Sequence, residues 1–223
     1  MKRNLYIIAS LKIAIGILLF LFSPTALGQS NYQIQPNVNY FTSGIPTNEF
    51  DYLEATTVNH GDQIQSNWCW AACVQMVLNY HGLQVTQLDA VTRIYGSPYV
   101  NQPANTQQVL TALSGWAPNS VGSNSYINAY SGYTSVPDII NALGAKWPLI
   151  VGMTNPNGGV GHAYVMTAIF YSNQYDIYGQ LVGHIPDKVV LRDPWPGNAN
   201  RQEYSWNEFQ SRCMMAVRVW ITR

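Results

Sequence analysis

The sequence predicts an α+β protein with a helical N-terminal lobe, a C-terminal lobe of antiparallel strands and a functional cleft between the two lobes. Three observations lead to this prediction. Apolar residues recur at helical spacing between residues 67 and 144, and apolar segments separated by turn residues follow Pro148. The chain is also long enough for one domain or two closely packed lobes around a continuous core.

Residues 1–28 are typical of a Sec-type signal peptide. Lys2 and Arg3 precede an uncharged stretch over residues 13–26, which is shorter than the roughly 20 apolar residues of a membrane-spanning helix. Ala26 and Gly28 are the small residues that signal peptidase prefers. We therefore expect cleavage near Gly28 and Gln29 and a secreted or periplasmic protein, with an uncleaved N-terminal anchor as the alternative.

The next segment, residues 29–60, is polar and lacks clear periodicity, so we expect an extended N-terminal arm ahead of a main domain over residues 61–223. Charged residues make up 10% of the chain and the formal net charge is zero. This composition argues against a nucleic-acid partner and, after signal cleavage, against stable membrane insertion. The sequence does not indicate the oligomeric state.

Four helices are predicted in the first half, beginning near residues 67, 86, 106 and 135. Gly82 follows the first as a C-cap, Thr86 opens a capping-box sequence with Asp89, and Pro137 suits the first turn of the fourth helix, which ends at Gly144. Strands are predicted over residues 149–154, 162–171, 188–192 and 215–221.

The three cysteines, Cys69, Cys73 and Cys213, form an odd set, which in an exported protein leaves at least one thiol unpaired. A disulfide between Cys73 and Cys213 would leave Cys69 as that thiol. The alternative is that Cys73 and Cys213 are two buried, inert thiols.

Cys69 is the candidate nucleophile. Ser66 and Asn67 are N-cap candidates, which places Cys69 in the first turn of the first predicted helix. The dipole and unpaired N–H groups of a helix N-terminus favour a thiolate.

His162 is the candidate base, because it follows a glycine-rich loop and begins an apolar strand that would hold the imidazole rigidly. His81 ends a helix and His184 lies in a polar, hairpin-like segment. His60 lies nine residues before Cys69 and remains an alternative base.

Two further residues complete a candidate site. Asp193, at the end of an apolar strand, could orient the imidazole, although an Asp-Pro pair also starts turns. Gln63 lies six residues before Cys69 and could donate to an oxyanion, with Gln65 as the rival.

The order Gln63, then Cys69-Trp-Ala-Ala, then Gly-His162-Ala and finally Asp193-Pro-Trp resembles the papain-like cysteine proteases. The segment Asn-Trp-Cys-Trp-Ala-Ala is most similar to the compact bacterial branch, which includes secreted effector proteases and is related to proteases that process bacteriocin leaders. The Cys-Gly-Ser-Cys-Trp segment of papain itself is absent, and Asp193 stands where papain-type enzymes carry Asn.

The resemblance implies a papain-like fold and a catalytic triad of Cys69, His162 and Asp193, with Gln63 in the oxyanion hole. The expected function is hydrolysis of a peptide or protein substrate through a thioester acyl-enzyme. An acyltransferase of the transglutaminase type and a catalytically silent binding module remain the alternatives. We expect no cofactor and no metal, because the cysteines and histidines lack zinc-site spacing and no glycine-rich phosphate loop is present.

Overall fold

The computed structural model describes residues 31–33, 38–50, 61–116, 126–132, 134–156 and 161–222. The predicted signal peptide and the alternative base His60 lie outside these residues. Within them, no helix is both long and apolar enough to cross a membrane.

Five helices are labelled here in chain order. They are α1 (Cys69–Tyr80), α2 (Gln87–Tyr95), α3 (Thr106–Leu113), α4 (Val136–Gly144) and α5 (Trp206–Arg212). The first four confirm the predicted helices, whereas α5 was not predicted. Reciprocal capping boxes begin α2, through Thr86 and Asp89, and α4, through Ser135 and Asp138.

The strands form one antiparallel sheet with eight members among the described residues. They are β1 (Asn31–Gln33), β2 (Phe41–Gly44), β3 (Tyr126–Ser131), β4 (Leu149–Met153), β5 (His162–Tyr175), β6 (Leu181–Arg192), β7 (Arg201–Ser205) and β8 (Cys213–Thr222). The strand β5 is central, because it pairs with β4 and β2 along one edge and with β6 along the other. β8 follows β4, β3 follows β8, and β7 pairs with β6.

The predicted N-terminal arm contributes two of these strands. β2 pairs antiparallel with β5, and β1 extends the sheet beyond β2. Ile45 and Phe50, which follow β2, are buried in the core. β1 and β2 are therefore extended parts of the sheet, whereas residues 47–50 are helical.

Helices cover both faces of the sheet. α1, α2 and α3 enclose one apolar core with sheet residues such as Ile150 and Val165, and α4 and α5 enclose a second core with residues such as Val151 and Met166. Successive side chains of a strand point to opposite faces, so β4 and β5 supply both cores alternately. Burial on both faces explains why the sequences of β4 and β5 are nearly continuous in apolar residues. The predicted α+β class is confirmed, with α4 on the face opposite α1.

Candidate active site

A cleft of about 720 Å³ opens where the start of α1 meets the start of β5. Its walls include Cys69, His162 and Asp193, together with the exposed ring of Trp195. α1 packs against β5, so the first residues of the two elements are brought to the same edge of the fold. The three residues predicted as a triad therefore share one cleft.

Cys69 is the first residue of α1, as expected, but the predicted cap is wrong. The N-cap residue is Trp68, and no side chain caps the helix. Ser66 and Asn67 bond instead to Asn101, whose side chain accepts from the Asn67 N–H at 3.0 Å and donates to the Ser66 hydroxyl at 3.0 Å. Because no side chain caps the first turn, its backbone N–H groups are left for a ligand.

His162 is held between Cys69 and Asp193. Its Nε2 lies 2.7 Å from Asp193 Oδ1, and the imidazole is also hydrogen-bonded with Cys69. Since Nε2 faces the carboxylate, Nδ1 is the ring nitrogen left for the thiol. The ring of Tyr164 packs against the imidazole edge to face, with centroids 4.6 Å apart.

The charges of the site favour a protonated imidazole. Burial lowers the pKa of His162, but the hydrogen bonds and charges of Asp193 and Cys69 outweigh it and raise that pKa from 6.5 to about 9. At neutral pH the geometry therefore favours an imidazolium between a carboxylate and a sulfur. This is the charge arrangement of an activated thiol.

Asp193 is buried, with 2% of its side chain exposed, and is fully hydrogen-bonded. Oδ1 accepts from His162 and from the Trp195 N–H at 2.9 Å, and Oδ2 accepts from Asn198 Nδ2 at 2.8 Å and Gln202 Nε2 at 2.7 Å. Burial raises the pKa of Asp193, but the hydrogen bonds from His162, Trp195 and Asn198 and the charge of His162 outweigh it and hold the pKa below its usual value. Sequence reasoning missed Asn198 and Gln202, which lie in a polar segment without a motif.

Gln63 is placed differently from the other candidates. It is 5% exposed and is not among the residues that line the cleft. Its Nε2 donates to the carbonyl oxygens of Gln65, at 2.9 Å, and Ser66, at 3.0 Å. Its backbone N–H donates to the Pro194 carbonyl at 2.7 Å, which ties the loop before Cys69 to the loop after Asp193.

The predicted disulfide is absent, because none of the three cysteines is bridged. Cys73 is buried in the core beneath α1 to α3, whereas Cys213 packs against the second core. The two thiols thus belong to opposite faces of the sheet. The two tryptophans beside the triad also differ, since Trp70 is buried and Trp195 is 44% exposed with its ring 6.1 Å from that of His162.

The other two described histidines, His81 and His184, lie away from the thiol of Cys69. His81 is at the C-terminal end of α1, opposite Cys69, and His184 Nδ1 lies 2.9 Å from Asn173 Oδ1 in the β5–β6 hairpin. Across the described ranges, no three His, Cys, Asp or Glu side chains are grouped as a metal site would require. Among the described histidines, His162 is the one that contacts the thiol of Cys69.

Comparison with known proteins gives one family and several structural relatives. No curated protein sequence matches the chain. The peptidase domain of Streptococcus ComA, a bi-functional ABC transporter involved in a quorum sensing pathway, is 16% identical, with a TM-score of 0.47 over 71% of this chain and 94% of that domain. A double glycine motif protease from an AMS/PCAT transporter, solved in complex with the leader peptide, is 16% identical, with a TM-score of 0.42 over 71% and 87% of the two chains.

The peptidase domain of Streptococcus mutans ComA is 15% identical, with a TM-score of 0.41 over 73% of this chain and 97% of that domain. Comparison with sequence models of protein families gives one match. The sequence model described as Peptidase_C39 like family matches residues 52–220, which is most of the chain. The protein therefore belongs to the Peptidase_C39 like family and is a cysteine-type peptidase.

Proposed function

We propose that this protein is an exported cysteine peptidase that cleaves peptide bonds through an acyl-enzyme on Cys69, with His162 as the proton carrier and Asp193 as its orienting group. The observation that carries the proposal is the continuous contact from Asp193 through the imidazole of His162 to Cys69 at the edge of an open cleft. Export is supported by the signal-peptide pattern of residues 1–28.

In the first half of the reaction the Cys69 thiolate attacks the substrate carbonyl carbon and forms a C–S bond. Negative charge then develops on the carbonyl oxygen, where the Cys69 N–H can donate to it because no side chain caps α1. The His162 imidazolium gives its proton to the departing amine nitrogen, and the C–N bond breaks. The product is a thioester, with a neutral imidazole beside it.

In the second half a water molecule gives a proton to the neutral imidazole and attacks the thioester carbonyl. The C–S bond breaks, the acid product leaves, and the thiolate and imidazolium are restored. Asp193 remains ionised throughout and keeps the Nε2–H of His162 directed at its own Oδ1. Its burial and its four donors support that role.

The oxyanion site has one donor in place and one that would have to move. Gln63, predicted from the sequence to be the second donor, would need to release the carbonyl oxygens of Gln65 and Ser66 before its Nε2 could reach the cleft. We propose that the N–H of Cys69 supplies the first hydrogen bond and that Gln63 joins only if this loop rearranges on substrate binding.

The test is covalent labelling by a thiol-directed epoxide that traps papain-like enzymes, followed by peptide mass spectrometry. We expect stoichiometric modification of Cys69 and its loss in His162→Ala. His184→Ala is the matched control, because it removes an imidazole remote from the thiol and should leave the labelling of Cys69 unchanged. Labelling that is absent, or that persists in His162→Ala, would contradict the proposed dyad and favour the silent binding module.

A further inference from the structure

The side of Asp193 that faces away from His162 is occupied by two amide donors. Asn198 Nδ2 and Gln202 Nε2 both donate to Oδ2, at 2.8 and 2.7 Å. Asn198 is exposed and lies in the loop that follows Asp193, whereas Gln202 is half-buried on β7. Gln202 is therefore the more constrained of the two donors.

The hydroxyl of Tyr204 fixes which end of the Gln202 amide faces Asp193. It donates to Gln202 Oε1 at 2.7 Å. Residues 202 and 204 are two positions apart on β7, so both side chains project from the same face of the strand. Because Gln202 Oε1 accepts from the Tyr204 hydroxyl, the NH₂ end of the same amide faces the carboxylate of Asp193.

The same arrangement accounts for the identity of residue 193. Suppose an Asn replaced Asp193 and its side-chain oxygen still accepted from His162. Its NH₂ group would then take the place of Oδ2 and face the amide N–H donors of Asn198 and Gln202. A buried donor that faces other donors loses its hydrogen bonds and costs stability. A carboxylate, with two acceptor oxygens, satisfies all four donors at once.

We infer that Gln202 is a positioning residue that acts through Asp193, that Tyr204 sets the orientation of its amide, and that this pair requires Asp rather than Asn at position 193. This inference rests on the proposed function, because its effect reaches the reaction through the His162 imidazole. Asp193 held in one rotamer presents Oδ1 to Nε2, and that hydrogen bond supports the imidazolium form of His162.

Several other groups face this pair and must be considered in any pH measurement. The thiol of Cys69 contacts His162 from α1, and Tyr164, on the same strand as His162, packs its ring on the imidazole. Tyr164 is hydrogen-bonded with Tyr204, and the charge of Arg212 at the end of α5 acts on Tyr164. Tyr164 stays neutral below pH 10, because burial raises its pKa.

The experiment compares the wild type with Asp193→Asn, Gln202→Glu and the double variant in two measurements. The first is the thermal unfolding midpoint at pH 8. The second is the rate of Cys69 alkylation by iodoacetate divided by the rate with iodoacetamide, followed across pH by peptide mass spectrometry. The anionic reagent is attracted by the imidazolium and the neutral reagent is not, so this ratio falls as His162 loses its proton.

Each single substitution should lower the unfolding midpoint, since Asp193→Asn sets donors against donors and Gln202→Glu sets a carboxylate against a carboxylate. The double variant should be more stable than either, because the carboxylate introduced at position 202 can accept from the amide introduced at position 193. In the wild type the alkylation ratio should fall near pH 9. Asp193→Asn should move that fall about one to three pH units lower, and the double variant should move it back.

Tyr204→Phe tests the orienting hydroxyl while keeping the ring. It should also move the fall of the ratio to lower pH, whereas Tyr178→Phe, the same change at the exposed hairpin tip, should not. Substitutions at 193 and 202 whose effects simply add, or a Tyr204→Phe profile equal to that of Tyr178→Phe, would overturn the inference. If the ratio of the two alkylation rates in the wild type did not change with pH, both the inference and the proposed function would be overturned.

Discussion

The stability of the protein should depend on the protonation of His162, and the direction follows from its pKa. The pKa is raised from 6.5 to about 9 in the folded protein, so the folded state binds a proton that the unfolded chain has released between these values. The stabilisation is therefore fully present below pH 6.5 and is lost as the pH rises through about 9. At about 1.4 kcal/mol for each tenfold step, it amounts to about 3 kcal/mol.

The assay is urea unfolding followed by tryptophan fluorescence at intervals from pH 6 to pH 10, on the wild type and on His162→Gln. The substitution keeps a neutral polar side chain but removes the titrating imidazole, so groups that do not interact with His162 cancel in the difference, and what remains is the titration of His162 together with its partners Cys69 and Asp193. We expect the stability advantage of the wild type to shrink by about 3 kcal/mol across this range. The imidazole is only 22% exposed, so solvent screening of its interaction with Asp193 is limited.

A difference between the two proteins that does not change with pH would refute this reasoning. It would mean that His162 has the same proton affinity in the folded and unfolded states, and hence that Asp193 and Cys69 do not stabilise the imidazolium. A difference that grows with pH would have the same consequence, because it would require the neutral imidazole to be the favoured form in the fold.

Three further outcomes follow from other parts of the structure. Denatured in urea without reductant, the protein should react with three equivalents of a thiol reagent, since Cys69, Cys73 and Cys213 are all unbridged; a value of one would restore the disulfide between Cys73 and Cys213. Gly44→Ala should lower the free energy of unfolding by about 2 kcal/mol or more, because its Cβ would lie 2.5 Å from that of Ala168, and an unchanged urea midpoint would contradict the packing of β2 on β5. Gly161→Ala should slow epoxide labelling of Cys69, because a Cβ there would lie 2.8 Å from the Met153 carbonyl oxygen and displace the residue before His162, and labelling at the wild-type rate would contradict that contact.

The helices could be predicted because their signals are local. The capping boxes that begin α2 and α4 each involve residues three positions apart, and both form as the sequence indicates. The strands β2, β3 and β7 could not be predicted in this way. Their apolar content is low, and they are strands because they pair with β5, β8 and β6, respectively. β5 and β8 are distant in sequence from their partners, and an irregular loop separates β7 from β6.

The same division applies to the site. Cys69, His162 and Asp193 each carry a local signal, namely the start of a helix, a glycine-rich loop before a strand and the end of an apolar strand. Asn198 and Gln202 carry none, because their partner is fixed by the path of the loop that returns from Asp193 to β7. That path depends on the bond from the Asp193 N–H to the Asn200 carbonyl, at 2.7 Å, which no sequence pattern shows.

The register of β5 connects the two cores to the chemistry. Val165 belongs to the core beneath α1 to α3, whereas Tyr164 and Met166 belong to the core beneath α4 and α5, so β5 is anchored on both faces. A slip of one residue would exchange these faces and turn the side chain of His162 away from its partners. Because such a slip would also place Tyr164 and Met166 in the wrong core, the packing of apolar residues is what holds the imidazole between Cys69 and Asp193.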